Sequence, residues 1–255
     1  MSQKIRQDQI LNILKKQGYV TVRYLSDALQ YSTATINRDL NAMQLAGLVK
    51  RTYGGVEAVT SRRLPPLAQR QFYHKKEKRL IAEEAAKQIQ NGETVFLDGS
   101  TTVQYMLPFL FQKKDVTVIT NSLRLAIELG DSPLTVICLG GTVMERPHVL
   151  FGDETIENVM RYHTDHMFFS TDGVTEDGYI HSFSYLFHKV LLKNSAHAWF
   201  LTDHTKLVDR LDTALCDFSA LTGVISDFEF SKQTKEQYPN VTFISVGKSH
   251  ATASV

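Results

Sequence analysis

Glycine and hydroxyl residues follow five short apolar runs between residues 95 and 206, and this combination can bind an anion. The first run leads through Asp98-Gly99-Ser100-Thr101-Thr102 into a helical pattern. Glycine lets a ligand approach the backbone closely, while the first turn of a helix offers unpaired N–H groups to a phosphate. Any one of these segments could be an ordinary helix cap or turn. Together they predict a site for a phosphorylated, polyhydroxylated small molecule, with Lys206 as the cation.

The candidate effector-binding residues come from these five segments and from one helical pattern near residue 189. They are Asp98, Gly99, Ser100, Thr101, Thr102, Thr120, Asn121, Ser122, Gly140, Gly141, Gly173, Lys189, Asp203 and Lys206.

The first sixty residues offer a different chemistry, the recognition of DNA. A helical pattern after Ser32 carries polar residues opposite its apolar positions. Arginine can bridge the acceptors of guanine, and asparagine can bridge adenine. A basic hairpin after this helix suits contact with the phosphate backbone. The predicted DNA-binding residues are Thr33, Thr35, Asn37, Arg38, Asn41, Lys50, Arg51, Tyr53, Gly54 and Gly55.

The charge distribution agrees with a nucleic-acid partner for this part of the chain. Residues 1–63 carry ten basic and four acidic side chains, whereas the rest of the chain carries 18 and 23. The net charge of +1 conceals this asymmetry. A basic module joined to an acidic one is therefore expected, although a solvated helical surface could carry the same charges.

Three helical patterns and a hairpin would position the DNA-binding residues. The patterns cover residues 5–16, the residues after a cap at Thr21 and those after a cap at Ser32, and Gly47 ends the third. Only two residues separate the second pattern from Ser32, as in a helix-turn-helix motif. Two short strands around Gly54-Gly55 complete a winged helix.

Apolar strand runs alternate with helical patterns from residue 94 onward. Strands are expected at 94–97, 116–119, 134–139, 166–169, 198–201, 223–226 and 241–246, and helices at 76–90, 101–111, 122–129, 154–162 and 185–196. This alternation predicts an α/β fold with a mainly parallel sheet, in which ligands bind beyond the carboxyl ends of the strands. The expected regions are a winged helix-turn-helix domain at residues 1–59, a linker at 60–74 with Pro65-Pro66, and an effector domain at 75–250.

Other classes of protein and site fit the sequence poorly. The N-terminal residues have no apolar core of a signal peptide, and no run approaches the roughly 18 apolar residues of a membrane span, so we expect a cytoplasmic protein. Cys138 and Cys216 have no metal or redox spacing and are expected to be buried thiols. His163 and His166 are interpreted as surface or strand-edge residues. No cofactor and no metal are expected.

Three N-terminal segments resemble the DeoR family of bacterial transcription regulators. They are the run from Gly18 to Leu25, residues 32–40 (STATINRDL), and the segment from Gly47 to Val56, and the family typically has VS..TIRRDL and G…R.HGGA across this region. The resemblance implies a winged helix that binds operator DNA. Asn37 stands where the first arginine of RRDL is usual, and Tyr53 replaces the wing histidine. These departures concern the operator sequence and not the fold.

The resemblance covers nearly the whole chain, because the family elements DSGTT, TNS, GG and D.SK match residues 98–102, 120–122, 140–141 and 203–206. It implies a fold similar to ribose-5-phosphate isomerase and glucosamine-6-phosphate isomerase, used as a sensor and not as a catalyst. The chain departs from the family in three places. Gly99-Ser100 reverses the usual order, His204-Thr205 replaces a small pair, and residues 181–187 are unusually aromatic.

The leading hypothesis is a transcription regulator, by family a repressor of sugar or carbohydrate metabolism genes, whose binding to operator DNA is controlled by a phosphorylated sugar. A homodimer or higher homo-oligomer is expected, because helix-turn-helix modules usually read paired half-sites. One alternative is a sugar-phosphate isomerase with an accessory DNA-binding module, for which Asp98, Asp172 and Asp203 are the candidate general bases. Another is a regulator whose sensor no longer binds sugar phosphate. The leading hypothesis has no catalytic residues.

Overall fold

The computed structural model describes residues 3–17, 19–45, 48–52, 55–58, 72–143, 149–182, 184–211 and 214–247. The chain divides into two compact units, Met1–Leu64 and Pro65–Val255. Each unit has its own apolar core. The predicted linker, residues 60–74, lies outside the described residues except for 72–74, so it stays a prediction.

The N-terminal unit contains three helices and a small sheet. The elements are α1 (Gln3–Gln17), β1 (Tyr19–Thr21), α2 (Val22–Leu29), α3 (Thr33–Leu45), β2 (Val49–Thr52) and β3 (Gly55–Ala58). The Thr21 hydroxyl accepts a hydrogen bond from the Tyr24 N–H at 3.1 Å, and Ser32 accepts one from Thr35 at 3.2 Å. These N-caps satisfy N–H groups that a helix leaves unpaired, so α2 and α3 begin where the sequence predicts.

The small sheet has the order β1-β3-β2 and is antiparallel throughout. Strand β1 has no counterpart among the predicted elements. Its Val20 pairs with Val56 of β3, and both side chains are buried in the core of this unit. Three residues are too few for an alternating pattern, so this strand is determined by its pairing with β3. Tyr53 and Gly54, in the predicted turn of the wing, lie outside the described residues.

The C-terminal unit is built on a seven-stranded sheet in which every paired strand is parallel to its neighbour, in the order β14-β13-β11-β9-β4-β5-β6. These strands are β4 (Thr94–Leu97), β5 (Thr117–Thr120), β6 (Thr135–Cys138), β9 (Thr164–Phe169), β11 (Ser195–Thr202), β13 (Gly223–Ser226) and β14 (Thr242–Ser245). Short antiparallel ladders join β7 (Thr142–Val143) to β8 (Leu150–Phe151) and β10 (Tyr179–Ile180) to β12 (Cys216–Asp217). The predicted α/β fold with a mainly parallel sheet is confirmed.

The helices of this unit are α4 (Lys75–Ala86), α5 (Thr101–Gln104), α6 (Leu107–Leu110), α7 (Leu123–Gly130), α8 (Asp153–Val159), α9 (Tyr185–Asn194) and α10 (Lys232–Gln237). The single helix predicted at 101–111 is wrong, because a turn separates α5 from α6. Pro108 explains the break, since proline has no N–H for the fourth preceding carbonyl and its ring clashes with it. Short 3₁₀ turns occur at His204–Lys206 and Phe218–Ala220.

Two apolar clusters form in the C-terminal unit, and the central strands contribute to both. Leu97 and Phe168 belong to one cluster, whereas their neighbours Phe96 and Phe169 belong to the other. A strand buried on both faces has a continuous apolar sequence, which is why these strands were visible as runs. In the described residues, no helix is both long and apolar enough to span a membrane.

Cys138, Cys216 and His166 are buried to different extents. Cys138 is exposed, contrary to the expected buried thiol, because it ends β6 at the edge of the sheet. Cys216 is half-buried. His166 is buried and not at the surface, since β9 runs between β11 and β4, and its Nδ1 accepts a hydrogen bond from the Trp199 indole at 3.0 Å.

Candidate functional site

The polar face of α3 is the first candidate site. Thr33, Arg38 and Asn41 are exposed, and Thr35 and Asn37 are half-buried. The opposite face of the helix packs into the core of the unit through Ile36, Leu40 and Met43. The helix therefore presents its predicted recognition residues to solvent on one side, which is the arrangement that a helix entering the major groove requires.

Arg51 of β2 joins this polar face. Its Nη2 donates to Asn37 Oδ1 at 2.6 Å, and its Nη1 donates to Asn41 Oδ1 at 2.8 Å. Three of the predicted DNA-binding residues thus form one hydrogen-bonded cluster. The side chain of Lys50 lies outside the described part of the structure, and Gly55 begins β3.

A buried ion pair supports α3 from behind, and the sequence analysis missed it. Asp39 is fully buried, and the Arg6 guanidinium of α1 donates to it through Nε and through Nη2, the latter at 3.0 Å. Arg6 also lies 4.9 Å from the centroid of the Tyr31 ring. Arg6 is thus engaged inside the unit. The position of Asp39 could have revealed the pair, because this acidic residue lies on the buried stripe of α3 between Ile36 and Met43.

The second candidate site lies where the parallel strands β4, β9 and β11 end side by side. Asp98 follows β4 and is buried, and its two carboxylate oxygens each accept a backbone N–H at 2.9 Å, from Ser100 and from Ser170. Burial raises the pKa of Asp98 to about 6, although hydrogen bonds from Ser100 and Ser170 and the Lys206 charge oppose this shift. A carboxyl group with a pKa of about 6 therefore lies at the carboxyl edge of the sheet, beside its central strand β9.

Lys206 connects the three strand ends. Its ammonium donates to the Ser170 hydroxyl after β9 and to Thr102 Oγ1 in α5, the latter at 3.4 Å. Burial alone would raise the pKa of Asp203, but Lys206 and hydrogen bonds from Thr205 hold this pKa below its ordinary value. The structure thus brings together five predicted residues, Asp98, Ser100, Thr102, Asp203 and Lys206. It adds Ser170, whose only signal was its place directly after a strand.

The end of β5, beside β4, carries a second group of predicted residues. The Thr120 hydroxyl donates to the Leu97 carbonyl at 2.7 Å, and Ser122 caps α7 by accepting a hydrogen bond from Leu125. Asn121 is buried, and its amide donates to the Leu150 carbonyl at 3.3 Å. Its Oδ1 accepts no hydrogen bond from any described residue. An acceptor left in this state is costly unless a ligand or water supplies a donor.

The predicted glycines have local packing reasons for lacking a side chain. Gly141 has φ +135°, and a Cβ there would lie 2.0 Å from Thr155 Oγ1. That hydroxyl donates to the Gly140 carbonyl at 2.7 Å. A Cβ at Gly99 would lie 2.1 Å from the Val149 side chain, which explains a glycine at this position of the loop. Glycine at these positions is thus required by the packing of the loops. Only the backbone of these glycines can contact a ligand.

Three predicted residues remain: Thr101 is buried at the first position of α5, and the other two lie on other elements of this unit. The Gly173 carbonyl accepts a hydrogen bond from the His181 N–H at 2.9 Å, in the loop after β9. Lys189 is exposed on α9, and its ammonium lies 5.5 Å from the centroid of the Tyr185 ring. In the part of the chain that the structure describes, no cluster of three His, Cys, Asp or Glu side chains could hold a metal ion.

His204 pairs with Asp227 near Lys206. Its backbone N–H donates to Asp227 Oδ1 at 2.7 Å, its ring Nδ1 is hydrogen-bonded to Asp227 Oδ2, and its ring packs edge-on with the His74 ring, with centroids 4.9 Å apart. Burial would lower the pKa of His204, but the Asp227 carboxylate raises it above its ordinary value. One of the departures noted in the sequence thus adds a titratable group to the carboxyl edge of the sheet.

Comparison with known proteins decides the family. Residues 6–62 match the DeoR-like helix-turn-helix domain, and residues 73–228 match the DeoR C terminal sensor domain. The chain belongs to the DeoR family. The resemblance noted in the sequence is confirmed, and this DeoR-family protein is a DNA-binding transcription regulator.

Curated relatives match this regulator over most of its length. The glycerol-3-phosphate regulon repressor of Escherichia coli (strain K12) is 29% identical over 89% of this chain and 92% of its own. The lactose phosphotransferase system repressor of Lactococcus lactis subsp. lactis is 31% identical over 96% of this chain and 98% of its own. A solved D-ribose-5-phosphate isomerase in complex with phospho-erythronic acid has 17% identity and a TM-score of 0.41, covering 54% of this chain and 56% of that one.

Proposed function

We propose that this DeoR-family regulator is a cytoplasmic repressor whose affinity for operator DNA is controlled by a phosphorylated sugar bound at the carboxyl edge of the sheet. The observation that carries the proposal is the Lys206 ammonium, which lies among the hydroxyls of Ser170 and Thr102 beside the first turn of α5. An ammonium surrounded by hydroxyl and N–H donors is complementary to a phosphate dianion.

Asn121 supports a ligand with hydroxyl groups next to the phosphate. Its buried Oδ1 has no donor among the described residues, and it lies after β5, the strand next to β4 and Asp98. A sugar hydroxyl could donate to it. The names of the two relatives agree with such a ligand, since one represses a glycerol-3-phosphate regulon and the other a lactose phosphotransferase system.

We further propose that the sensor unit binds its ligand without catalysis. The three carboxylates that could act as a general base already have partners: Asp98 accepts from Ser100 and Ser170, Asp203 from Thr205, and Asp172 contacts the His181 ring at 2.8 Å. A base for isomerisation must instead face the sugar carbon whose proton it removes. Such a unit acts as a sensor, and ligand binding shifts the population of DNA-competent arrangements.

On DNA, we propose that α3 enters the major groove and that the β2–β3 wing lies along the phosphate backbone. The polar face of α3 and the basic residues of β2 support this orientation. A homodimer or higher homo-oligomer would read two half-sites, as helix-turn-helix proteins commonly do.

A thermal-shift screen of the full chain against phosphorylated sugars, glycerol 3-phosphate, the matching unphosphorylated compounds and inorganic phosphate tests the ligand class. A ligand at 100 times its Kd should stabilise the protein by about 2.7 kcal/mol, which raises the melting temperature of the sensor unit by roughly 5–10 °C. The same ligand should then change the affinity for duplexes selected from a random library. If unphosphorylated sugars stabilise the protein as much as phosphorylated ones, the phosphate site is wrong.

A further inference from the structure

The two hydrogen bonds of Arg51 determine how two asparagines of α3 are oriented. Asn37 and Asn41 lie one helical turn apart, and both direct their amide oxygens at the same guanidinium, at 2.6 and 2.8 Å. A guanidinium has only donors, so an amide beside it must turn its carbonyl oxygen inward. The NH₂ groups of both asparagines consequently face away from Arg51.

This orientation limits the bases that the asparagines can read. To bridge adenine, an amide must present its oxygen and its NH₂ to the same base edge, accepting from N6 and donating to N7. Each amide oxygen here is engaged by Arg51, so the NH₂ is the group that each amide presents on the side away from the guanidinium. Arg38, exposed next to Asn37, also has donors alone. This end of α3 therefore offers the major groove a surface of hydrogen-bond donors.

We infer that Arg51 is a specificity-determining residue that positions Asn37 and Asn41 so that α3 selects guanine over adenine. Guanine presents two acceptors, N7 and O6, in the major groove. Adenine has its N6 amino donor where guanine has O6, so that donor would meet the amide NH₂ groups and remain unpaired. This inference rests on the proposed role of α3 as the recognition helix.

The position of Arg51 is held by the core of the N-terminal unit. Arg51 pairs with Val56 of β3, and Val56 and Val49 are both buried. The strand that carries Arg51 is thus anchored against the same core that anchors α3. A wing arginine that served only the phosphate backbone would need no contact with α3, whereas Arg51 is half-buried and bonded to it twice.

Selection of duplexes from a random library by the full-length protein tests the inference. The wild type should enrich guanine at the positions read by α3, which are those whose preference is lost in Asn37→Ala and Asn41→Ala. Arg51→Met removes the donors and frees both amides to rotate, so the preference for guanine over adenine at these positions should fall about ten- to a hundredfold. Lys50→Met removes the same charge from the adjacent position of β2 and should weaken binding to all sequences with an unchanged preference.

Two further variants keep the test decisive. Arg51→Lys retains the charge but lacks the planar fork, so it can hold one amide and should relax the preference partially, which provides a test even if Arg51→Met does not fold. Arg51→Met should accept adenine at these positions better than the wild type does. When Arg51→Met is combined with Asn37→Ala and Asn41→Ala, this gain should disappear, because both amides are removed.

The outcomes separate this inference from the proposed function. If Arg51→Met, like Lys50→Met, weakens binding to all sequences without changing the base preference, Arg51 contacts only the DNA backbone and the inference is overturned. A wild-type preference for adenine at the α3 positions would overturn it too, while leaving α3 as the recognition helix. If the wild type enriches no sequence, the proposed DNA recognition fails first.

Discussion

The two units each bury an aspartate, and they compensate its charge in different ways. Asp39 in the N-terminal unit has no exposed surface, and the Arg6 guanidinium neutralises it directly. Asp98 in the C-terminal unit is 5% exposed and is held by backbone N–H groups, with Lys206 nearby, and its pKa rises to about 6. The Asp39 carboxylate is part of an ion pair. The charge of Asp98 is only partly compensated, so its pKa is raised.

This contrast distinguishes a buried charge that joins two helices from one that lies in the proposed ligand site. A paired buried charge joins α1 to α3 and leaves the outer face of α3 to the predicted recognition residues. The other buried carboxylate is held by neutral donors, beside an ammonium and several hydroxyls, at the site that we propose for the ligand. We expect substitutions at the first aspartate to affect folding and substitutions around the second to affect titration and binding.

The largest effect is expected for Asp39→Ala. Removing one partner of a buried ion pair leaves the other charge uncompensated, so the melting temperature of the N-terminal unit should fall by on the order of 20 °C. Far-UV circular dichroism of the full chain measures this loss. Trp199, the only tryptophan of the chain, lies in the other unit, and its fluorescence transition should stay unchanged. Asp27→Ala, an exposed aspartate on α2, is the matched control. If the melting temperature of Asp39→Ala is no lower than that of Asp27→Ala, the ion pair is dispensable.

The second prediction concerns the pH dependence of the C-terminal unit. The pKa of Asp98 is about 6 in the folded protein and returns to about 3.8 on unfolding. Between pH 4 and 6 the folded state therefore holds a proton that the unfolded chain has released. The free energy of unfolding should fall by about 3 kcal/mol as pH rises through this window and level off above it.

Urea denaturation followed by Trp199 fluorescence, in wild type and Asp98→Asn, measures this component as a difference. The comparison is needed because burial lowers the pKa of His188 to about 4, and this residue contributes stability with the opposite pH dependence. His188 is present in both proteins, so its contribution cancels. Parallel curves for the two proteins would mean that Asp98 is not the titrating group.

The third prediction concerns Lys206→Met and ligand affinity. Losing the ammonium should weaken a phosphorylated ligand roughly ten- to a hundredfold, equivalent to about 1.4–2.8 kcal/mol, and barely affect its unphosphorylated analogue. Affinity for DNA without ligand should persist, giving a regulator that no longer responds. Isothermal titration with the best compound of the thermal-shift screen measures the change, and Lys193→Met, exposed on α9, is the control. If Lys206→Met and Lys193→Met lose the same affinity for the ligand, Lys206 is not part of the binding site.

Features determined by local chemistry were predictable from the sequence. Strands β4 and β13 begin and end at the predicted residues, because each is a short apolar run buried on both faces. The caps at Thr21 and Ser32 were found because a hydroxyl before a helical pattern satisfies an N–H group. The strand-end residues of the proposed effector site were predicted in the same way, from hydroxyls and glycines that follow apolar runs.

Features determined by partners distant in sequence were not predictable. Ser170 joins the site only because β9 lies between β4 and β11, and strand order is not visible in a single sequence. The partner of Asp39 is 33 residues away on α1, and the partners of Arg51 are 10 and 14 residues away on α3. Spacing identified these side chains as candidates, whereas their mutual hydrogen bonds depend on how the helices and strands pack.

The smallest effects compare two serine caps, one in each unit. Ser32 caps α3 and Ser100 caps α5, each accepting a backbone N–H three residues ahead, at 3.2 and 3.3 Å. Replacing either serine by alanine should cost about 1 kcal/mol of stability in its own unit. Only Ser100 also forms a side-chain hydrogen bond that lowers the pKa of Asp98. Ser100→Ala should therefore move the midpoint of the Asp98 titration to higher pH, while Ser32→Ala leaves it in place. The urea series with Trp199 fluorescence measures both midpoints, and an unmoved midpoint in Ser100→Ala would make the two caps equivalent.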